Sequence, residues 1–201
     1  EQADGWQILF YRSLALSITI LLILVFQKRS RFFDEFRGLG WNDCLLAVFL
    51  GTGFVAYVFA LLYNTVANAL FIFSCAPFLA GFLGWILLGE RVATRTWFAI
   101  GAAMAGLAVM VGSELAVSRY LGTLLALWIP IAYAASIIAV RSSKRDNMLV
   151  ALCLAGLVAG GLSAIFVTDY ALTSRDLIIS LYLGVFQVGA GFTLVVLGAR
   201  Y

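Results

Sequence analysis

Few side chains in this 201-residue chain could do covalent chemistry, and their spacing argues against it. The chain has no histidine and only ten Asp and Glu residues, which are scattered. The three cysteines, Cys44, Cys75 and Cys153, lie in or beside apolar runs without metal-type spacing, so we expect them to be packing residues. The sequence contains no Walker motif, so nothing in it points to ATP hydrolysis. We therefore predict that the chain is not an enzyme and has no metal site or cofactor.

The remaining polar side chains are suited to non-covalent binding. Arg12 is the one charge well inside an apolar run. It could bind an anionic group, or it could snorkel to the nearby end of the run or have a structural role. Pro77 and Pro130 lie near the middle of two runs, where each could bend a helix and free carbonyl groups for a ligand. A structural kink without a ligand is the competing interpretation.

Uncharged polar and aromatic residues within the runs complete the candidate cavity. Trp128 and Ser136, two turns apart, are predicted to share one helix face. Gln187 lies deep in its run and should need a partner, which could be another helix, water or a substrate. For each of these residues ordinary packing is the competing interpretation. The full set of this kind is Tyr57, Ser74, Trp128, Tyr133, Ser136, Gln187 and Thr193.

Continuous apolar runs must position these residues, and they predict an all-α, polytopic membrane helical bundle. Hydrophobic residues make up 64% of the chain and charged residues 11%, far from the composition of soluble domains. The runs are continuous rather than alternating, which disfavours strands. Most are long enough for a spanning helix. The seven runs are Ile8–Phe26, Cys44–Tyr63, Val66–Leu88, Trp97–Gly112, Leu121–Val140, Leu149–Val167 and Leu177–Gly198.

Basic residues alternate between the gaps that separate the runs. If every run crosses the bilayer, ten basic residues fall on one side and only Arg119 and Arg175 on the other. The excess of positive charge predicts that the basic loops are cytoplasmic. The net charge of +3 is too small to argue for a nucleic-acid partner. The ten are Lys28, Arg29, Arg31, Arg37, Arg91, Arg95, Arg141, Lys144, Arg145 and Arg200.

A weak internal repeat links the second and seventh runs. Leu50–Tyr63 and Val188–Tyr201 are identical at five of fourteen aligned positions. Coincidence between two glycine-rich helices is the alternative. The charge pattern gives the two helices opposite directions, which is typical of the inverted repeats of secondary transporters. We predict inverted five-helix repeats: ten helices in a full chain and seven here, with helices 2–5 in residues 1–112 and helices 6–8 in residues 121–201.

Three stretches resemble EamA-like members of the drug/metabolite transporter superfamily. Ala69–Arg91, ALFIFSCAPFLAGFLGWILLGER, has an Ala-Pro pair near its middle and closes on Leu-Gly-Glu-Arg. The small-residue stretch Gly101–Gly112 and the Tyr-Arg-Ser around Arg12 are also similar to the family. The resemblance implies a ten-helix carrier of the bacterial inner membrane, in two inverted halves, that moves small metabolites such as amino acids by alternating access. Many such carriers are exporters.

We therefore expect a secondary transporter, an exporter of small metabolites, with the lipid bilayer and a small-molecule substrate as partners. A non-transporting integral membrane subunit, structural or receptor-like, is the alternative. Small-residue pairs such as Gly156 and Gly160 would pack helices within the bundle, although they also allow a homodimer. Because no Asp or Glu lies deep in the runs, the sequence gives no proton relay.

Overall fold

The computed structural model describes residues 4–28, 36–89, 93–116, 120–142, 149–191 and 193–194. Within these ranges the regular secondary structure is helical and no residue lies in a strand, so the predicted all-α class is confirmed. A π-helical segment, Leu183–Ala190, follows the last α-helix directly. The α-helices are α1 (Gly5–Lys28), α2 (Trp41–Tyr63), α3 (Val66–Phe73), α4 (Ala76–Leu88), α5 (Thr94–Ala116), α6 (Tyr120–Ser142), α7 (Leu149–Phe166) and α8 (Ser174–Tyr182).

Five helical segments in the described ranges are long and apolar enough to cross a membrane. They correspond to five of the seven apolar runs, and together they support a polytopic membrane bundle. The other two runs form α5 and the pair of α8 and the π-helical segment, which are not among the five. The five segments are Gly5–Gln27, Trp41–Tyr63, Val66–Leu88, Tyr120–Ser142 and Leu149–Phe166.

The third apolar run is interrupted between α3 and α4, at Ser74 and Cys75. A proline inside a helix costs about 3 kcal/mol, because it removes a hydrogen bond and clashes with the preceding turn. The break places Pro77 in the first turn of α4, where helices tolerate proline well. At the other end, Gly89 takes a left-handed φ of 67° and its amide donates to the Gly84 carbonyl. That geometry ends α4 at the Leu-Gly-Glu-Arg turn; Glu90 and Arg91 lie outside the described residues.

The chain divides into two compact units whose boundary falls within α2. Unit 1 comprises residues 1–52 and 143–201, and unit 2 comprises residues 53–142. The sequence-based division into residues 1–112 and 121–201 is a division by repeat and not by compactness, so it stays a prediction.

Unit 1 is built on close packing of α1 against α7. Ser17 Oγ donates to the Cys153 carbonyl at 3.3 Å, and Cys153 Sγ donates to the Ser17 carbonyl at 3.7 Å. A side chain at Gly156 would collide with Ser17 Oγ. Small residues allow this approach, and dispersion and interhelical hydrogen bonds hold membrane helices together where lipid is as apolar as the side chains.

Unit 2 has an apolar cluster that joins α2, α3 and α6. Its buried members are Ala56, Ala60, Ala69, Ile72, Cys75, Ala126 and Ile129, and Tyr57, Leu61, Phe73, Leu125 and Leu127 pack against it. Four of the seven buried members are alanines, so the helices approach closely. The cluster includes the break between α3 and α4 through Cys75.

Candidate functional site

Two proline positions in unit 2 interrupt the hydrogen bonding of helices that share the apolar cluster. Pro77 cannot donate to the carbonyl of Phe73, and Pro130, buried inside α6, cannot donate to the carbonyl of Ala126. Ala126 belongs to the cluster and Phe73 packs against it. Unit 2 therefore brings two weakened points of its backbone to a single cluster.

Aromatic contacts tie the break in the third run to α6. The rings of Phe73 and Tyr133 meet edge to face, with centroids 5.5 Å apart. Such pairs contribute about 0.5–1.5 kcal/mol beyond the area they bury. Tyr57 on α2 packs against the same cluster. Of the sequence candidates, Tyr57, Tyr133 and Pro130 thus line or adjoin this region.

The break itself is more exposed than its position in the run suggests. Ser74 and Pro77 are both exposed, whereas Cys75 between them is buried. Ser74 Oγ donates to the Phe71 carbonyl at 2.6 Å, which satisfies a group at the end of α3 locally. Ser74 and Pro77 therefore form the open side of the break rather than its packed side.

Trp128 and Ser136 do not share a helix face, contrary to the sequence prediction. Trp128 is 37% exposed, whereas Ser136 is 5% exposed and its Oγ donates to the Tyr133 carbonyl at 2.7 Å. Eight residues exceed two full turns by about 80°, which is enough to place the two side chains on different faces. Ser136 is satisfied by its own helix.

A polar cluster that contains the buried side chains of Asn68 and Thr123 and the half-buried side chain of Asn64 lies where α2, α3 and α6 meet. Asn64 Oδ1 accepts from the Thr65 amide at 2.8 Å and from Asn68 Nδ2 at 3.0 Å, and Asn64 Nδ2 donates to Thr123 Oγ1 at 3.5 Å. Asn68 is 1% exposed, and its Oδ1 has no hydrogen-bond partner among the described residues. Gly122 allows this packing, because a Cβ there would lie 2.6 Å from the Tyr63 carbonyl oxygen. The asparagines were visible in the sequence, but their partner Thr123 is 59 residues away from Asn64.

In unit 1, Arg12 is buried against the last part of the chain. It is 5% exposed, so nearly all of its surface is covered by the rest of the chain. A Cβ at Gly184 would collide with the Arg12 carbonyl oxygen and lie 2.7 Å from Ala15 Cβ. The backbone of the π-helical segment thus runs directly against α1 at Arg12.

The two other candidates of unit 1 differ in burial. Thr193 is 7% exposed and its Oγ1 donates to the Gly189 carbonyl at 2.7 Å. Gln187, expected to be buried with a partner, is exposed. A residue's depth along a run does not determine which helix face it occupies, and the π-helical geometry further changes the angle between successive side chains. π-helices are rare and occur frequently at functional sites.

A latch of hydrogen bonds holds the start of α1 to the loop between α7 and α8. Gln7 Nε2 donates to the Asp169 carbonyl at 2.7 Å and to the Ala171 carbonyl at 3.3 Å. Tyr11 Oη donates to the Tyr170 carbonyl at 2.8 Å. Ring contacts surround the latch, with Trp6 stacked on Phe166 and Phe10 edge to face with Tyr170.

The described residues contain no group of three or more His, Cys, Asp and Glu that could hold a metal ion. The buried polar side chains described in the two units are mainly hydroxyls, together with the Asn68 amide, the Asp43 carboxylate and the Arg12 guanidinium. Such groups suit reversible binding of a small polar molecule. In each unit they lie among helices long enough to cross a bilayer.

Comparison with protein families agrees with this arrangement. Residues 1–112, more than half of the chain, match the profile of the EamA-like transporter family. No curated protein and no solved structure matches the chain significantly. The chain is an integral membrane protein and belongs to the EamA-like transporter family.

Proposed function

We propose that this protein is a secondary transporter that exports small metabolites, such as amino acids, by alternating access. The observation that carries the proposal is the pair of proline interruptions in unit 2, which deprive the Phe73 and Ala126 carbonyls of their helical hydrogen bonds at one apolar cluster. Backbone at membrane depth that departs from a regular helix is tolerated where protein or a wet cavity surrounds it, and transporters use it to bind substrates.

Membership of the EamA-like family supports transport, and the resemblance to its members supports export and a bacterial inner membrane. The excess of basic residues in alternate gaps supports cytoplasmic placement of those loops. The repeat between Leu50–Tyr63 and Val188–Tyr201 supports two inverted halves, the symmetry on which alternating access commonly depends. The small-residue pairs are compatible with assembly as a homodimer.

Flux through the full-length protein in proteoliposomes tests the proposal. Vesicles are loaded with a panel of amino acids and other small metabolites, and the initial rate of efflux is measured against vesicles without protein. We expect protein-dependent, saturable efflux of a subset of the panel. Absence of protein-dependent flux for every solute, in either direction, would favour a non-transporting membrane subunit.

Two variants link the flux to the proline interruptions. Pro77→Ala and Pro130→Ala should each lower the rate of efflux about tenfold, equivalent to about 1.4 kcal/mol in the barrier. The reason is that a regular helix hydrogen-bonds its own carbonyl groups and leaves none for the solute. Gly81→Ala is the matched control on α4, since a Cβ at Gly81 meets no described atom within 4 Å. It should transport as the wild type does.

A further inference from the structure

The start of α1 and the start of α8 lie at the same end of unit 1 and in a fixed register. The latch bonds Gln7 and Tyr11 to the loop that leads into α8. Further along, Gly184 contacts the backbone at Arg12, and a Cβ at Gly189 would lie 3.2 Å from Thr19 Cγ2. Residues later in α1 thus contact residues later in α8 and the π-helical segment, so α1 runs parallel to both.

Ser180 is a buried hydroxyl in this interface. It is 1% exposed, and its Oγ has no hydrogen-bond partner among the described residues. Buried hydroxyls elsewhere in unit 1 bond back to their own helix, as Ser163 does to the Ala159 carbonyl and Thr193 to the Gly189 carbonyl. A hydroxyl that is desolvated without a partner costs roughly 1–3 kcal/mol, so Ser180 is a group for which a bound ligand would compensate.

Ser180 lies about one helical turn, or roughly 6 Å, nearer the latch than Arg12 does, because Gly184 contacts the backbone at Arg12 and Ser180 comes four residues before Gly184. Ser180 precedes Gly184 by one turn and lies on the same face, toward the latch. Side chains on an α-helix tilt toward its N-terminus, so we expect the Arg12 side chain to leave α1 in the direction of Ser180.

We propose that Arg12 and Ser180 form a binding site for a carboxylate group of the transported solute, between α1 and the end of α8. The guanidinium supplies a fixed positive charge and two or more donors in the fork geometry that a carboxylate accepts. The Ser180 hydroxyl supplies one further donor. This inference rests on the proposed transport function, because it assigns the class of solute that is carried.

The charge balance favours a carboxylate over a phosphate. Arg12 is the only basic residue well inside an apolar run of this chain. One cation neutralises a carboxylate, whereas a phosphate monoester near neutral pH would bring uncompensated charge into a low-dielectric site. The latch lies between this site and the end of unit 1 at which α1 begins, so a solute that entered there would have to displace it.

Thermal unfolding of the full-length protein in nanodiscs tests the site without knowledge of the natural solute. The probes are L-leucine and lactate, each paired with its primary amide, together with methyl phosphate. Since a ligand that binds only the folded state raises Tm, we expect the two carboxylates to raise it and leucinamide, lactamide and methyl phosphate not to. Equal shifts by a carboxylate and its amide, a larger shift by methyl phosphate, or no shift by either carboxylate would overturn the assignment.

Ser180→Ala separates binding from structure. It should weaken carboxylate binding about tenfold, the contribution of one hydrogen bond to a charged group, without lowering Tm in the absence of ligand. Arg12→Gln should abolish the carboxylate-dependent shift. Ser163→Ala is the matched control, because its hydroxyl is already bonded within α7, and it should bind carboxylates as the wild type does. Wild-type affinity in Ser180→Ala would contradict the site.

The outcomes also separate this inference from transport itself. Flux of uncharged or cationic solutes, with no effect of any carboxylate, would overturn the carboxylate site and leave the transport proposal standing. Carboxylate binding that Ser180→Ala weakens, in a protein without measurable flux, would support the site and count against transport.

Discussion

Contacts of single glycines set how closely the helices of each unit approach. In unit 2, Gly122 at the start of α6 lies against the backbone at the end of α2, and a Cβ there would be 2.6 Å from the Tyr63 carbonyl oxygen. Backbone cannot rotate aside as a side chain can, so even alanine would force α6 away from α2. Gly81 on α4 is the opposite case, because a Cβ there would have no described atom within 4 Å.

Gly122→Ala should therefore destabilise the protein by about 1–3 kcal/mol through overpacking. Gly81→Ala should be neutral or stabilise it by up to about 1 kcal/mol, because alanine has the higher helix propensity. Unfolding in mixed micelles with increasing denaturing detergent measures both. Equal stability of the two variants would contradict the packing described for Gly122.

The two asparagines that follow α2 and begin α3 should contribute unequally to stability. Within the described part of the chain, the Asn64 side chain makes three hydrogen bonds, whereas that of Asn68 makes one and leaves Oδ1 without a partner. Interhelical hydrogen bonds in membranes contribute about 0.6 kcal/mol each on average. Two of the Asn64 bonds join different helical segments, so Asn64→Ala should cost about 1 kcal/mol and more than Asn68→Ala, as measured by the same unfolding assay. A larger loss for Asn68→Ala would show that its Oδ1 has a partner such as a bound water.

At this scale the sequence predicts a break near Pro77, but it predicts neither the faces of α6 correctly nor the burial of Ser180. A break near Pro77 is present, and it falls at Ser74 and Cys75. Trp128 and Ser136 were wrongly placed on one face because a count of two turns ignores the remaining rotation. Ser180 was not a candidate at all, since an isolated serine in an apolar run carries no signal until its surroundings are known.

At the scale of elements, the break between α3 and α4 is the most informative departure from a regular helix. The interruption falls at Ser74 and Cys75, before the proline itself, because Pro77 is favourable in the first turn of a new helix. The sequence located the proline but not this offset. It gave no indication of the π-helical segment, since no residue pattern distinguishes π from α-helical geometry within an apolar run.

Pro77→Ala should allow α3 and α4 to join, because residue 77 would regain an amide that can donate to the Phe73 carbonyl. Amide hydrogen exchange of a peptide spanning residues 70–79 should become slower than in the wild type. A peptide from α7, in unit 1, serves as the internal control and should not change. Unaltered exchange across residues 70–79 would mean that Pro77 does not cause the break.

For the whole molecule, the apolar runs predicted the helical class and most of the spans, because continuous hydrophobicity follows directly from the lipid environment. The ends of the observed helices differ by a few residues from those of the predicted runs; α1, for example, starts at Gly5 rather than Ile8. The division into two compact units was not predicted, since it depends on which helices pack together and not on where each begins. The inverted repeat and the placement of the basic loops stay predictions.

Labelling of single cysteines tests the placement of the loops. In a background without the three native cysteines, Thr173→Cys and Gly38→Cys each introduce one exposed thiol, before α8 and between α1 and α2. A membrane-impermeant maleimide added to intact cells should label Thr173→Cys and should label Gly38→Cys only after permeabilisation. Labelling in the reverse pattern would contradict the cytoplasmic placement of the basic loops.

Secondary transport by alternating access is the central claim, and solute exchange tests it most directly. Proteoliposomes with the full-length protein are preloaded with an unlabelled solute from the transported subset, and uptake of the same labelled solute is followed without any imposed ion gradient. A carrier must return its binding site across the membrane, so we predict that internal solute accelerates the initial uptake of external solute. Uptake that is absent, or that is indifferent to the internal solute, would contradict alternating access.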